Sequence, residues 1–220
     1  MCLISEAAPG PPAALETSMN KLIGLAATAA IPLTIAGLAV PAQAAGTVKF
    51  GSALDPSIQP SNSLPARPCV HQDPSLSCSF VMNEAYGRPN GGQLAPVSGT
   101  LKRIRVISGA AGSFRLQLVK AKQVNGVWRA QVKAVGPIIN VQGQNQSNWD
   151  NDVYNVEQFR VKMKIKKGWR LSMSAMSTSA VRCSSGGDNT LIFAPPLTAA
   201  MHNATNTDGC WPLIEGVIKK

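Results

Sequence analysis

The sequence predicts an all-β protein, folded as an antiparallel β-sandwich with a jelly-roll-like order of about nine strands. From Gly99 onward, apolar and polar residues alternate with the period of two that marks half-buried strands. Beyond residue 45, no window shows the i, i+3, i+4, i+7 apolar spacing of a sizeable helix. Long loops rich in Gly, Pro and Asn, and the lack of a Cys…Trp…Cys signature, favour a jelly roll over an immunoglobulin-like sandwich.

The expected strands are short before Gly99 and alternate clearly after it. They are Ser79–Met82, Thr100–Ile107, Phe114–Leu118, Trp128–Ala134, Ile138–Val141, Phe159–Ile165, Trp169–Ser174, Leu191–Phe193 and Pro212–Ile218. In the second strand, strict alternation places Lys102 beside Ile104 on one face and Leu101 beside the arginines on the other. Asn125–Gly126 separates the third and fourth strands, and this dipeptide readily adopts the positive φ angles of a tight hairpin, so we expect antiparallel neighbours there.

The first 44 residues have the features of a removable export signal. Met19 and Lys21 precede an apolar run from Leu22 to Val40, and a small-residue exit ends at Ala44, after which we expect cleavage. Met19 is a candidate for the true start. The alternative is a permanent membrane anchor, because about 20 apolar residues cross a bilayer, although Pro and Gly interrupt this run and no basic cluster follows it. The chain then divides into a leader and signal (1–44), an extended Pro- and Ser-rich segment (45–68) and a sandwich domain (69–220).

The net charge of the chain indicates which classes of partner it could bind. Removing residues 1–44, which contain Lys21, Glu6 and Glu16, leaves 20 Lys and Arg against 9 Asp and Glu and raises the formal charge from +10 to +11. Such a balance favours association with anionic partners such as cell-wall polymers, acidic glycans, lipid headgroups or nucleic acid. Solubility outside the cell explains the charge equally well. The remaining 176 residues are one domain's worth of chain.

Four cysteines follow the signal: Cys69, Cys78, Cys183 and Cys210. An even number in an exported chain predicts disulfides, because the surroundings are oxidising. Of the three pairings that four cysteines allow, we favour Cys69 with Cys78 and Cys183 with Cys210, since each closes a loop within one region. The wide spacings argue against a structural zinc site.

Three stretches resemble a known group of proteins. They are Ser98–Val106, the strand from Val161 to Trp169 that ends in Lys-Lys-Gly, and the closing Gly209–Val217. Together they resemble small secreted proteins of high-GC Gram-positive bacteria whose sandwiches are similar to carbohydrate-binding modules. The resemblance implies secretion and a β-sandwich; its motifs are architectural, so it carries over no binding residue.

Few residues are candidates for catalysis, and we expect a protein that is not an enzyme. His71 and His202 are interpreted as exposed loop residues, because no nucleophile stands in a recognisable context such as G-x-S-x-G. Glu215 lies in an apolar strand, where it is either an inward charge or the polar face of an edge strand; we favour the edge strand. No two carboxylates are marked as a glycosidase pair.

The polar stretch from Gln142 to Asn151 is the main candidate for ligand binding. Amide donors and one aromatic residue could hold a sugar by hydrogen bonds and ring stacking; the residues are Gln144, Asn145, Asn148 and Trp149. The alternative is that Trp149 caps the core. Asp150 and Asp152 are weak candidates for calcium, because oxygen ligands at alternate positions suit that ion, and an ordinary Asx-turn loop is the alternative. Trp128, Trp169 and Trp211 are interpreted as packing residues.

A linear basic patch is expected on one strand face, formed by Arg160, Lys162, Lys164 and Lys166. Such a row can be a solvated face that discourages aggregation. Aromatic residues do not interleave with it, which argues against nucleic acid.

The sequence therefore predicts a secreted or cell-surface, non-enzymatic domain that binds glycan or an anionic envelope polymer. The alternatives are a structural or protein-interaction domain without a small ligand, and, more weakly, a hydrolase with an unrecognised site.

Overall fold

The computed structural model describes residues 46–54, 77–88, 90–176 and 183–220, and only the backbone at 183–188 and 210. These residues form eleven strands and one short helix: β1 (Thr47–Gly51), β2 (Ser79–Met82), β3 (Gly99–Val106), β4 (Ala110–Val124), β5 (Val127–Gly143), α1 (Gln146–Asp150), β6 (Glu157–Ile165), β7 (Arg170–Ala175), β8 (Cys183–Phe193), β9 (His202–Asn203), β10 (Asn206–Pro212) and β11 (Ile214–Lys219). The predicted signal lies outside the described residues, and none of the helices within them could span a membrane.

The strands form two packed antiparallel sheets with jelly-roll topology. The four-stranded sheet has the order β1-β11-β3-β6, and the seven-stranded sheet contains β2-β7-β4-β5 as its centre. These eight strands occupy the positions of the eight strands of a jelly roll. Strands β8, β9 and β10 are inserted between the seventh and the eighth strand, and they extend the larger sheet at both edges. The predicted all-β sandwich of jelly-roll type is confirmed, with eleven strands in the described residues rather than about nine.

The additional strands lie where the sequence lacks alternation. Strand β1 lies in the segment expected to be merely extended, and it pairs along its whole length with β11. Strands β9 and β10 are rich in Asn, Asp, Gly and Pro, which are depleted in strands on propensity alone. Pairing with neighbouring strands, β5 for β9 and β8 for β10, makes them strands.

Two of the predicted strands are parts of one continuous strand. Trp128–Ala134 and Ile138–Val141 both belong to β5, which is continuous through Gly136 and Pro137. These two residues lie opposite the single residue Leu116 of β4, so they form a bulge that accommodates the proline without interrupting the strand. The Asn125–Gly126 hairpin before β5 is confirmed, with φ of +50° and +79°.

A second bulge corrects the predicted faces of β3. Strict alternation placed Leu101 and Ile104 on opposite faces, but both side chains are fully buried in the core. The register with β11 shifts here, because Ile218 pairs with Leu101 and Val217 with Arg103, so the extra residue Lys102 in β3 returns Ile104 to the core face. Arg103 consequently faces away from the core.

The core has two parts. The larger part fills the space between the sheets and includes Phe50, Leu101, Phe114, Leu116 and Leu171. A smaller apolar cluster lies on the outer face of the seven-stranded sheet. There Leu197 and Ala204 pack over apolar residues of β2, β4, β5 and β8 that point away from the larger core. The segment 194–205 therefore covers that outer face.

Candidate binding surface on the four-stranded sheet

Strand β6 presents the predicted basic row at one edge of the four-stranded sheet. Arg160, Lys162, Lys164 and Lys166 are exposed, whereas Val161, Met163 and Ile165 between them are buried. The alternation arises because side chains on a strand point to opposite faces in turn. The row therefore lies on the outer face of this sheet, turned away from the core.

The register of the sheet adds basic residues from two further strands. Lys164 is opposite Thr100 of β3, which in turn is opposite Lys219 of β11. Arg103 of β3 is opposite Arg160. The outer face thus carries basic side chains from neighbouring strands that are far apart in the chain.

At one end of this face the lysines line a cleft of about 690 Å³. The lining residues are Ser98, Gly99, Thr100, Lys102, Lys164, Ile165, Lys166, Lys219 and Lys220, which we call the lysine cleft. The lining contains neither a carboxylate side chain nor an aromatic ring. Sequence reasoning found Lys164 and Lys166 but not the others, because the pairing of β3 and β11 with β6 cannot be read from alternation.

The other end of the face is organised around Glu215. Its side chain is 1% exposed, and the carboxylate accepts hydrogen bonds from Arg105, at 2.8 Å, and from Arg88. Lys49 Nζ lies 3.6 Å from the same carboxylate. Arg88 also donates to the carbonyl of Gly51, at 3.3 Å, so it fastens the segment after β2 onto the sheet.

The interpretation of Glu215 as the polar face of an edge strand is wrong. Strand β11 lies between β1 and β3, in the interior of the sheet. A carboxylate can be buried there because three cations surround it. The partners were not recognisable in the sequence, since Arg88 lies 127 residues away.

The two ends of the face therefore differ in free charge. Glu215 is the one carboxylate that the described residues place on this outer face, and it engages only cations at its own end. Within the described part of the chain, no carboxylate lies within 4 Å of the ammonium groups of the lysine cleft. The cleft is thus a concentrated positive charge open to solvent.

The predicted amide-rich loop is a second concave site. Gln144, Asn145 and Asn148 line a cavity of about 460 Å³ together with residues up to Asn155. The residues expected in a loop form α1, whose N-cap is Asn145: its side chain accepts from the Asn148 N–H, and the Asn148 side chain accepts from the Asn145 N–H. Gln144 bonds to the carbonyls of Ser108 and Asn155 and to the Asn155 N–H.

Trp149 does not line that cavity. Its ring is half-buried and meets the ring of Tyr154 edge-on, with centroids 5.1 Å apart. It also packs against a small cluster that contains Leu54, Ile107 and Leu213. The geometry is that of the alternative interpretation, in which Trp149 caps the core.

The two calcium candidates have separate partners. Asp150 accepts a hydrogen bond from the Gln146 side chain, at 2.8 Å, and Asp152 accepts one from the Tyr154 hydroxyl, at 3.3 Å. Burial, and then the hydrogen bond and charge of Asp152, raise the pKa of Tyr154. The described residues contain no group of three or more His, Cys, Asp or Glu that could hold a metal ion.

His202 lies in β9 and is half-buried rather than in an exposed loop. Its Nε2 is 2.8 Å from the Thr198 hydroxyl. A hydroxyl beside an imidazole is the start of a nucleophilic site, but Thr198 also accepts from the Ala200 N–H, as in a turn. Within the described residues no carboxylate bonds to the other ring nitrogen. His71 lies outside them.

Cys78 is the one predicted cysteine whose side chain the structure describes. It is fully buried directly before β2 and is disulfide-bonded. Its neighbour Ser79 pairs with Phe193, at one end of β8, whereas Cys183 begins the other end. The two ends of β8 are separated by the length over which β10 pairs with it. That length is six residue steps of β10, about 20 Å at 3.3 Å per residue.

That separation bears on the disulfide pairing. The Cα atoms of a disulfide are at most about 7 Å apart, which excludes Cys183 as the partner of Cys78. Cys210 is also excluded, because it lies two strands away and well along β10. Both predicted pairings, Cys69 with Cys78 and Cys183 with Cys210, stay predictions.

The remaining tryptophans pack against other side chains. Trp169 packs on the larger core and Trp211 meets Tyr86 edge-on, with centroids 5.4 Å apart. Trp128 packs on the smaller cluster, and the Arg170 guanidinium lies 5.0 Å from its ring centroid.

Fold and site together define a jelly-roll sandwich with one basic, open sheet face. No protein-family model matches the chain, and comparison with curated proteins and with solved structures finds no match either. The predicted resemblance to small secreted bacterial proteins therefore stays a prediction. The function is inferred from the geometry of the basic sheet face.

Proposed function

We propose that the protein is a non-enzymatic binding domain that holds an anionic polymer on the outer face of its four-stranded sheet. The observation that carries this proposal is the lysine cleft, in which ammonium groups on and beside β3, β6 and β11 surround a space of about 690 Å³ whose lining has no carboxylate side chain. Like charges held together repel one another, and a bound polyanion relieves that repulsion. The face is also open, unlike the outer face of the other sheet.

The proposed setting is outside the cell. The export signal predicted in residues 1–44 and the even number of cysteines both support secretion or attachment to the cell surface. In that setting an anionic envelope polymer is the proposed ligand. The charge steers association as well as stabilising the complex, so binding should weaken with salt.

Binding of polyphosphate and dextran sulfate, with neutral dextran as the blank, tests the proposal. The variant K162Q/K164Q/K166Q removes three charges from the basic row, and K120Q/K122Q/K133Q removes three exposed charges from the seven-stranded sheet. We expect the first to weaken binding by about 10- to 100-fold and to lower the salt slope by roughly 2, at about 0.7 per lost contact. The second should change affinity less than about 3-fold.

The two variants have the same net charge, so they separate a specific surface from general electrostatics. Equal losses in both would contradict the proposal, as would equal binding of the wild type to neutral dextran. Unfolding is excluded by comparing circular dichroism spectra.

A second candidate is a neutral glycan bound in the 460 Å³ cavity beside α1. The observation in its favour is the concentration of amide side chains there. Gln144 and Asn148 already use their amide groups to hold the loop, which leaves less for a ligand. Asn148→Ala should abolish retention on a polysaccharide if this candidate is correct, whereas the basic-row variant should not.

A further inference from the structure

We infer that the lysine cleft selects polymers bearing tetrahedral oxyanions, phosphate or sulfate, over polymers bearing carboxylates. This inference rests on the proposed function and names its ligand chemistry. It follows from which cations form the cleft, how they are spaced and which other groups stand beside them.

The cations of the cleft are ammonium groups only. Lys102, Lys164, Lys166 and Lys219 are exposed and line the space, whereas no arginine does. An ammonium group is a compact point charge whose donors can point in any direction, whereas a guanidinium is a planar fork that holds two oxygens of one carboxylate or phosphate. The cleft therefore offers several independent point charges, which suit an anionic group with more than two oxygens.

The arginines of the same face are elsewhere and partly occupied. Arg88 and Arg105 bind the two oxygens of Glu215, so their forks already hold a carboxylate. Arg103 and Arg160 are exposed and lie opposite each other, but they do not line the cleft.

The spacing of the lysines suits one anionic group with several oxygens. Lys164 and Lys166 are two residues apart on β6, about 6.6 Å between Cα atoms. Lys219 lies two strands from Lys164, roughly 9.6 Å at the usual strand separation. Long flexible side chains starting at these distances can converge on one phosphate or sulfate, whose unbridged oxygens point in several directions.

Two further lining residues, Ser98 and Thr100, carry hydroxyl groups. The Ser98 hydroxyl oxygen accepts from the Lys167 N–H, at 3.0 Å, so its own hydrogen is left to donate. The hydroxyl of Thr100 stands between Lys164 and Lys219 in the register. Hydroxyl donors beside ammonium groups complete a shell for an oxyanion. No ring lines the cleft for stacking on a base or sugar.

The test compares three polyanions at equal ionic strength and similar charge number: polyphosphate, dextran sulfate and polygalacturonate. We expect the two oxyanion polymers to bind at least about 10-fold more tightly than polygalacturonate, with the difference arising at the cleft. K164Q/K219Q should weaken binding of both by about 10-fold or more and that of polygalacturonate less than about 3-fold.

The charge-conserving variant K164R/K219R tests whether the preference depends on the shape of the cation as well as on its charge. It keeps the charge but replaces independent point charges with planar forks that hold two oxygens of either kind of anion, so the preference for the oxyanion polymers over polygalacturonate should narrow. Polygalacturonate binding as tightly as polyphosphate, and equally weakened by K164Q/K219Q, would overturn the inference while leaving the proposed function intact. Failure of all three polymers to bind would overturn the proposed function itself.

Two further outcomes are informative. Tighter binding of single-stranded DNA than of polyphosphate of equal charge would indicate base contacts and contradict the inference. Loss of binding in K162Q/K164Q/K166Q but not in K164Q/K219Q would place the polymer along β6 and outside the cleft, which also contradicts it.

Discussion

The outer face of the four-stranded sheet is open and basic, whereas the outer face of the seven-stranded sheet is covered by the segment 194–205 and is largely apolar. Each face contains a buried charge. Glu215 is surrounded by three cations. Arg170 has no carboxylate within 4 Å among the described residues; it donates to the carbonyls of Met82 and Asn83 and to the Asn83 side chain.

The difference shows how the same sandwich accommodates charge in two ways. On the open face, one carboxylate organises several cations and fixes the segment that carries Arg88. On the covered face, burial without an opposite charge lowers the pKa of Arg170 to about 10. The Nε of Arg170 is buried without a hydrogen-bond partner. On the open face, the lysines of the cleft are exposed to a ligand.

The largest effect is expected for Glu215→Gln. This change leaves three cations around a buried neutral amide, and breaking a buried pair costs about 3–5 kcal/mol of the free energy of unfolding. Urea denaturation measures it. The matched control is Glu84→Gln, an exposed carboxylate outside the sheets, for which the midpoint should hardly move. A loss below about 1 kcal/mol at Glu215 would show that the cluster does not stabilise the face.

A smaller effect is expected for Arg170→Met. The variant loses three hydrogen bonds and the contact with Trp128, but it also removes a charge whose burial is unfavourable. These terms oppose each other, so we expect a loss of about 1–2 kcal/mol in urea denaturation. A loss as large as that of Glu215→Gln would mean that the two buried charges are equally important.

The pKa of Arg170 gives the sign of its pH dependence. Because the folded protein binds this proton less tightly than the unfolded chain does, the penalty is constant at neutral pH. It is relieved only as pH rises above the lowered pKa of about 10 towards the ordinary pKa of arginine. The difference in stability between wild type and Arg170→Met should therefore not change between pH 6 and pH 9. A change in that range would assign the effect to another group.

The smallest effect is expected for K162Q/K164Q/K166Q. These side chains are exposed and have no ion-pair partner within the described residues, so their removal should leave the melting temperature within about 2 °C of wild type. Differential scanning calorimetry measures this. A large drop would show that the row stabilises the fold, and the binding loss could then not be assigned to contact with a polymer.

Much of the fold could be predicted because single strands carry their own signal. The alternation in β6 and the Asn125–Gly126 hairpin are local patterns, and the structure confirms both. Of the insertion β8–β10, only Leu191–Phe193 at the end of β8 was predicted, since β9 and β10 become strands through pairing rather than propensity. Bulges in β3 and β5 were also missed, because each depends on the partner strand.

The site was predicted only in part for a related reason. The basic row of β6 is visible as alternation within one strand. Its continuation to Lys102 and Lys219 depends on which strands are neighbours, which one sequence does not reveal. Trp149 was chosen because a tryptophan in a polar stretch resembles a sugar platform, yet its ring packs against Tyr154.

Lysine acetylation footprinting shows directly whether an anionic polymer binds at the lysine cleft. The full protein is treated with a limiting acetylating reagent with and without polyphosphate, and modification of each lysine is read by mass spectrometry. The account predicts protection of Lys164, Lys166 and Lys219 by about 5-fold or more and little change at Lys120 and Lys122 of the other sheet. Equal protection on both sheets, or none at the lysine cleft despite binding, would contradict it.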